Sequence, residues 1–240
     1  MPDLSLIFLA CAIVALGAIV QSLIGFGLAV VAAPLLYFID PTFVPVPLLL
    51  QGLMISIFNW YSNRHNTDIA SMFYALIARV PGALLGLWLI LHFNAKGLQI
   101  MIAIAVLSGV ISTLTSYAVR FNRKNLVIAG FISGIFATVA AIGGPPMALI
   151  MRHQETAKIR GNLSAFFTLS STISFFVLLA GGRVQLHHLS LGLLLLPAVI
   201  LGFFLAKLVI DKVERQHIKW ITQIVCSISA FMLLYQAIFN

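Results

Sequence analysis

The sequence predicts an all-α polytopic membrane protein, and three observations support this prediction. The chain is 61% hydrophobic and only 8% charged, whereas soluble domains average about half apolar and a quarter charged. Its apolar residues form a series of runs of roughly 20 residues, the length of a membrane-spanning helix. The runs do not alternate between apolar and polar residues, as the strands of a membrane barrel would.

The runs follow one another with only short polar loops between them. Because lipid offers no hydrogen-bond partner to a bare backbone, each run is expected to be helical wherever it touches lipid. Since no polar stretch is long enough for a soluble module, one transmembrane domain is predicted over residues 1–240. Asn162 and Ser164 are expected to cap the start of the sixth run. The runs are residues 4–39, 43–62, 70–92, 97–119, 126–151, 163–181, 189–209 and 217–239.

Two of the runs contain helix breakers near their centres. The first carries Gly25-Phe26-Gly27, and the fifth carries Gly143-Gly144-Pro145-Pro146. Proline lacks a backbone donor and clashes with the preceding turn, and glycine weakens a helix, so both helices are predicted to break there. A break inside a membrane exposes backbone N–H groups at the start of the second segment, where the helix dipole favours an anion.

The two broken runs correspond to each other along the chain. A shift of 117 positions brings Gly17 and Gly27 onto Gly134 and Gly144, and a shift of 116 brings Pro81-Gly86 onto Pro197-Gly202 at the Pro, Leu and Gly positions. Two homologous halves of four runs are therefore predicted, residues 1–119 and 126–240. In transporters, one discontinuous helix in each half points to the substrate site.

The positive charges favour one topology. Strict alternation of eight spans puts eight Lys and Arg residues on one side and five on the other, leaving out Arg79. If both broken runs are re-entrant hairpins, the division becomes eleven to two, with only Lys96 and Arg183 outside. The positive-inside rule prefers the second division. This leaves three crossings in each half, so the halves would be inverted repeats, and both arrangements put both termini outside.

Polar side chains near the breaks are the candidate ligands. Gln21, Ser22 and Thr138 can donate hydrogen bonds to a substrate, or equally to neighbouring helices. Arg79 lies about ten residues into an apolar run, where a charge is expensive and commonly functional; it either pairs with an anion or snorkels to the interface. Asn59 and the stretch Ser170–Ser174 either line the path or pack helices together.

The stretches QSLIGFGLAVVAAPLL (residues 21–36) and GIFATVAAIGGPPMAL (residues 134–149) resemble the paired glycine-rich signatures of the sulfite exporter TauE/SafE family of membrane permeases. RHNTD at residues 64–68, PGALLG at 81–86 and its echo PAVILG at 197–202 add to the resemblance, which covers nearly the whole chain. It implies a bacterial inner-membrane permease for sulfite, organosulfonates, related sulfur anions or small carboxylates, so the termini predicted outside from the charges would be periplasmic. The first signature has Gly-Phe-Gly where many members have three glycines.

The chemistry-bearing residues argue against an enzyme. No His-Glu-x-x-His motif and no pair of mid-run acids is present, so no enzymatic activity, cofactor or metal is expected. The preferred function is export of a small anion by alternating access between the halves. A channel-like anion uniporter or a membrane scaffold are the alternatives. The expected partners are the anion and the lipid bilayer but not nucleic acid. A homodimer is a possible assembly that the sequence does not decide. The substrate ligands predicted are Gln21, Ser22, Gly25, Phe26, Gly27, Asn59, Arg79, Thr138, Gly143, Gly144 and Pro145.

Overall fold

The computed structural model describes residues 4–115, 119–152, 154–209 and 215–239, and these residues form α-helices joined by short connections and contain no β-strand. In chain order the helices are α1 (Leu4–Ile24), α2 (Leu28–Ile39), α3 (Val46–Asn63), α4 (Phe73–His92), α5 (Ala95–Leu114), α6 (Arg123–Ala140), α7 (Gly144–Met151), α8 (Thr156–Ala180), α9 (Leu186–Val209) and α10 (Arg215–Phe239).

Within the described residues, eight helical segments are long and apolar enough to cross a membrane. They include every helix except α2 and α7, which have 12 and 8 residues. The prediction of a multi-pass, all-helical membrane protein is therefore confirmed. The eight segments are Leu4–Ile24, Pro41–Asn66, Ala70–His92, Ala95–Ser112, Arg123–Ala140, Ala157–Ala180, Leu186–Leu208 and Thr222–Phe239.

Both predicted helix breaks are present. Between α1 and α2, Gly25 and Gly27 have φ angles of 101° and 132°, a region that side-chain-bearing residues rarely adopt. Between α6 and α7, Ala141 has a φ of 60° and ends α6 in a left-handed turn. Since Pro145 stands at the start of α7, where its missing N–H breaks no helical hydrogen bond, it helps to set where the second segment begins.

The chain turns back on itself at each break. A Cβ on Gly17 of α1 would lie 2.9 Å from the carbonyl oxygen of Leu28 at the start of α2. In the second half, the Ser133 hydroxyl of α6 donates a 2.6 Å hydrogen bond to the carbonyl of Gly143. Residues ten apart in a straight helix lie about 15 Å from one another, so neither pair could meet across a mere kink.

Two helix pairs correspond to each other under the predicted division into halves. Helix α4 packs along α6, and its counterpart α9 packs along α1. A Cβ on Gly86 would lie 2.8 Å from Thr138, and a Cβ on Gly202 would lie 2.8 Å from Ala18. Both glycines therefore allow close approach of helices beside the breaks, as expected from their matched positions. The inverted order of the halves stays a prediction.

The predicted start of the sixth helix is wrong. Helix α8 begins at Thr156, so Asn162 and Ser164 lie inside it and do not cap it. The Asn162 side chain instead accepts a 2.7 Å hydrogen bond from the backbone N–H of Asp68. Polar residues Lys158 and Arg160 hid this first turn of the helix, because hydropathy detects the apolar span but not a helix that extends beyond it.

Candidate functional site

The two helix breaks meet at one internal cavity of about 30 Å³, a volume that holds about two water molecules. Phe26 joins the breaks directly, because a Cβ on Gly144 would lie 2.9 Å from Cδ2 of its ring. Polar groups from α3, α4 and α8 complete the wall. The cavity is lined by Gln21, Phe26, Gly27, Ala29, Val30, Gly52, Ser56, Arg79, Ala137, Ala141, Ile142, Gly143, Gly144, Phe167, Ser170 and Ser171.

Arg79 is the charged group of this cavity, and its side chain is completely buried. Its guanidinium group donates to three neutral oxygens: the Ser170 carbonyl at 3.0 Å, the Ser133 hydroxyl at 2.7 Å and the Ser174 hydroxyl at 3.2 Å. The ring of Phe166 lies 5.6 Å from the guanidinium carbon. Snorkelling to the interface is thereby excluded, since the guanidinium lies among helices α4, α6 and α8.

The charge of Arg79 has no carboxylate partner among the described residues. All three of its hydrogen bonds go to uncharged groups, and a guanidinium carries five N–H groups. One N–H on each of its two terminal nitrogens is therefore available to another acceptor. Burial of an unpaired charge is unfavourable, and an anion at these N–H groups would offset that cost.

Two hydroxyl groups link Arg79 to the second break. Ser133 accepts from Arg79 Nη1 and donates onward to the Gly143 carbonyl. Ser174 accepts from Arg79 Nη2 and also from the Thr138 hydroxyl at 3.1 Å. The guanidinium is therefore held in one orientation by α6 and α8. The Gly143 carbonyl at the break is hydrogen-bonded to Ser133.

Gln21 performs a comparable role at the first break. Its Oε1 accepts the backbone N–H of Leu28 at 3.2 Å, and its Nε2 donates to the Ser56 hydroxyl at 3.0 Å. The side chain therefore satisfies the first free amide of α2 and ties the break to α3. The next two residues, Ala29 and Val30, line the cavity, and backbone N–H groups in the first turn of a helix have no helical partner.

The predicted ligands divide into two groups by position. Gln21, Phe26, Gly27, Arg79, Gly143 and Gly144 line the cavity. The others lie outside its wall: Gly25 packs against Arg160 and Leu163 of α8, and Pro145 packs against Gly109 of α5. Thr138 reaches Arg79 only through Ser174. Ser22 and Asn59 have polar atoms, Oγ and Nδ2, with no partner among the described residues.

Two residues that contact the breaks or Arg79 were not predicted from the sequence. Ser133 resembled any small residue at a helix contact, and only its position opposite Arg79 distinguishes it. Arg160 was counted as a loop charge that sets the topology, yet its Nη2 donates a 2.7 Å hydrogen bond to the Leu23 carbonyl at the end of α1. Its place three residues before the sixth apolar run gave no signal, because residue spacing carries no information about contacts between distant segments.

The family comparison agrees with this geometry. The sequence profile of the family described as Sulfite exporter TauE/SafE matches residues 9–233, which is nearly the whole chain. No curated protein and no solved structure gives a significant match. The matched region includes both breaks and every residue of the cavity wall. The chain therefore belongs to the sulfite exporter TauE/SafE family, whose members are membrane transporters and not enzymes.

Proposed function

We propose that this protein is a permease that exports a small oxyanion across the inner membrane, with the anion bound at Arg79 between the two helix breaks. The observation that carries the proposal is the meeting of both breaks at one cavity around a fully buried arginine without a carboxylate partner among the described residues. Helix N-termini and a guanidinium both favour negative charge, so the two features select the same class of ligand.

The shape of the site favours a compact anion. A guanidinium with one free N–H on each terminal nitrogen can hold two oxygens of a planar or pyramidal oxyanion at once. At about 30 Å³ the cavity has room for about two water molecules, so it must widen to admit even sulfite or a short carboxylate, and a bulky sulfonate would require more widening. The family description supports a sulfur anion, and the two remaining amides of the first turn of α2 would contact its third oxygen.

The breaks themselves have separate roles. In α7 the residues after Gly144 are both prolines, so the first turn offers few N–H groups, and Gly144 provides close approach more than donors. Helix α2 has no such prolines in its first turn. The anion would therefore contact amides of α2 and the guanidinium of α4, with Gly143 and Gly144 forming the opposite wall.

A polar pocket at one end of the bundle supports re-entrant hairpins and inverted halves. This pocket, the vestibule, has a volume of about 570 Å³. Phe121 precedes α6 and Gln154 follows α7, yet both line it, and Arg152 donates to the carbonyl of Thr115 at the end of α5. Strict alternation would separate these segments across the membrane. The vestibule is lined by His65, Asn66, Thr67, Asp68, Ser71, Phe121, Gln154, Glu155, Lys158 and Asn162.

Alternating access follows from two halves that share one site. Helices α3 and α8, one from each half, pack against each other beside the cavity, and rocking of the halves would expose the anion to either side in turn. A channel-like uniporter would instead conduct without exchange. The two are separated by trans-stimulation, in which unlabelled anion on the far side accelerates uptake of labelled anion only in a carrier.

The decisive experiment is flux through purified protein in proteoliposomes. Radiolabelled sulfite, a short alkyl sulfonate and acetate are each offered with and without unlabelled anion inside. Saturable, trans-stimulated flux of at least one anion is expected, together with a higher melting temperature in its presence. If none of the three moves and none stabilises the protein, the permease function is wrong and a scaffold becomes the better interpretation.

A further inference from the structure

The contact between α3 and α8, called the seam below, changes from apolar to polar at the cavity. On α3, Leu49, Gly52, Ser56, Asn59 and Asn63 follow one another at spacings of three and four residues, so they share one face. Gly52 and Ser56 line the cavity. On one side of the cavity this face is apolar, and on the other it is polar.

Helix α8 shows the same change. Gly161, Ser164, Thr168 and Ser171 share a face at spacings of three and four residues. A Cβ on Gly161 would lie 3.0 Å from the Asn63 carbonyl of α3, and Ser171 lines the cavity. The two helices therefore run antiparallel, and their facing stripes extend from the cavity to the residues beside the vestibule.

The apolar side of the seam is closed. Val46 and Leu49 of α3 and Leu178 of α8 form a buried cluster. Leu87 and Ile90 from the end of α4, together with Phe175 and Val184, pack around it. Side chains packed to interior density leave no path for water or a hydrated anion.

The polar side contains an unsatisfied group. Asn59 is only 6% exposed, and its Nδ2 has no hydrogen-bond partner among the described residues. A buried amide donor without a partner is costly. It lies midway along α3 between Ser56 at the cavity and Asn63 near the vestibule, and those seven residues span about 10 Å.

The geometry points to a route by which the anion reaches Arg79. The anion enters from the vestibule and passes between α3 and α8, where Asn59 Nδ2 forms an intermediate binding site. This inference rests on the proposed function. The ligand of this intermediate site is the same small oxyanion, which would accept a hydrogen bond from the unpaired amide. Lys158 at the vestibule would attract it there.

The route also assigns a side to the conformation described. Lys158 lines the vestibule, and Arg64 and Arg123 stand within two residues of its lining residues His65 and Phe121, so the positive-inside rule makes this end the cytoplasmic face. The apolar cluster closes the opposite end. The cavity is therefore separated from the cytoplasm by a polar seam and from the opposite side by an apolar cluster, so opening toward the cytoplasm requires less apolar surface to separate. That is the side from which an exporter binds its substrate.

The route is tested by thiol accessibility in a chain whose Cys11 and Cys226 are replaced by serine. Asn59→Cys and Ser164→Cys probe the polar side of the seam, and Leu49→Cys and Leu178→Cys probe the apolar side. A charged, membrane-impermeant thiol reagent is applied to spheroplasts and to inverted membrane vesicles, which expose opposite faces. Melting temperatures establish that each variant is folded.

The expected result is that N59C and S164C react in inverted vesicles and not in spheroplasts. L49C and L178C should react at least about tenfold more slowly in inverted vesicles, because close packing excludes the reagent. The route is overturned if a folded N59C variant does not react in inverted vesicles, or if L49C reacts there as fast. If the protein with its native cysteines moves no anion, the proposed function is wrong, whereas the accessibility of the cysteine variants still tests the route.

Discussion

Arg79 and Ser133 are joined by a 2.7 Å hydrogen bond in which the guanidinium donates to the hydroxyl, and the same hydroxyl donates to the Gly143 carbonyl at 2.6 Å. One small side chain therefore connects the buried charge of α4 to the helix break between α6 and α7. A movement of the break would therefore displace the guanidinium, and under the proposed function an anion bound to Arg79 would act on the break. This relationship gives the first two predictions.

Replacement of Arg79 is expected to remove anion binding. Arg79→Gln deletes the charge, and Arg79→Lys keeps it but cannot donate to the Ser170 carbonyl, Ser133 and Ser174 at the same time. Affinity should fall on the order of 100-fold in the glutamine variant, since losing one member of a buried charge pair costs about 2–5 kcal/mol. Binding is measured by the anion-dependent shift in melting temperature. Unchanged binding in both variants would exclude Arg79 as the anion ligand.

Ser133→Ala should lower both stability and transport. The substitution leaves the Gly143 carbonyl and one Arg79 N–H unsatisfied, and each buried unpaired group costs about 1–3 kcal/mol. Ser112→Ala is the matched control, because Ser112 is also buried but its hydroxyl donates within its own helix, to the carbonyl of Gly109 at 2.8 Å. Thermal unfolding in detergent and flux should separate the two variants. Equal effects would show that Ser133 is an ordinary packing residue.

Gly144→Leu should abolish transport while the protein still inserts. Even the Cβ would lie 2.9 Å from the Phe26 ring, and the rest of the side chain would fill the cavity without lowering hydropathy. Gly52→Ala is the control in the same cavity wall, since its Cβ would meet nothing within 4 Å. Flux and membrane-fraction yield are compared. Failure of the leucine variant to insert would favour a structural role for Gly144.

The hairpin arrangement predicts that the N-terminus and Asp40 lie on the same side of the membrane, with Arg64 on the other. Strict alternation instead puts the N-terminus across from Asp40. Reporter tags at the N-terminus and single cysteines at Asp40 and Arg64 distinguish the two when reacted in intact cells. An N-terminus opposite Asp40 would contradict both the re-entrant first hairpin and the inversion of the halves.

Much of the fold could be predicted because a lipid bilayer allows very few backbone structures. The lengths of the apolar runs gave eight candidate spans, and both breaks lie where glycine and proline interrupt those runs. The start of α8 could not be predicted, because its first two turns carry Lys158 and Arg160 and their composition is typical of a loop. Polar residues that begin a helix outside the lipid follow no hydropathy rule.

The candidate site was predicted only in part for a related reason. Gly143 and Gly144 are visible as breakers, and Arg79 is visible as a charge in an apolar run. The partners of Arg79 are serines, which pack helices in membranes far more often than they orient a charge. The spacing of Ser133, Ser170 and Ser174 is meaningful only after α4, α6 and α8 have been brought together.

The sequence by itself determined that this protein is a helical membrane protein with two matched interruptions, because lipid admits only helices there and glycine and proline cannot continue one. The tertiary structure alone decided that the interruptions meet, that a buried arginine faces them, and that the seam between α3 and α8 is polar on one side and closed on the other. Those facts depend on contacts between residues that are far apart along the chain, such as Arg79 and Ser174, which are 95 positions apart. Local propensity carries no information about such distant pairs.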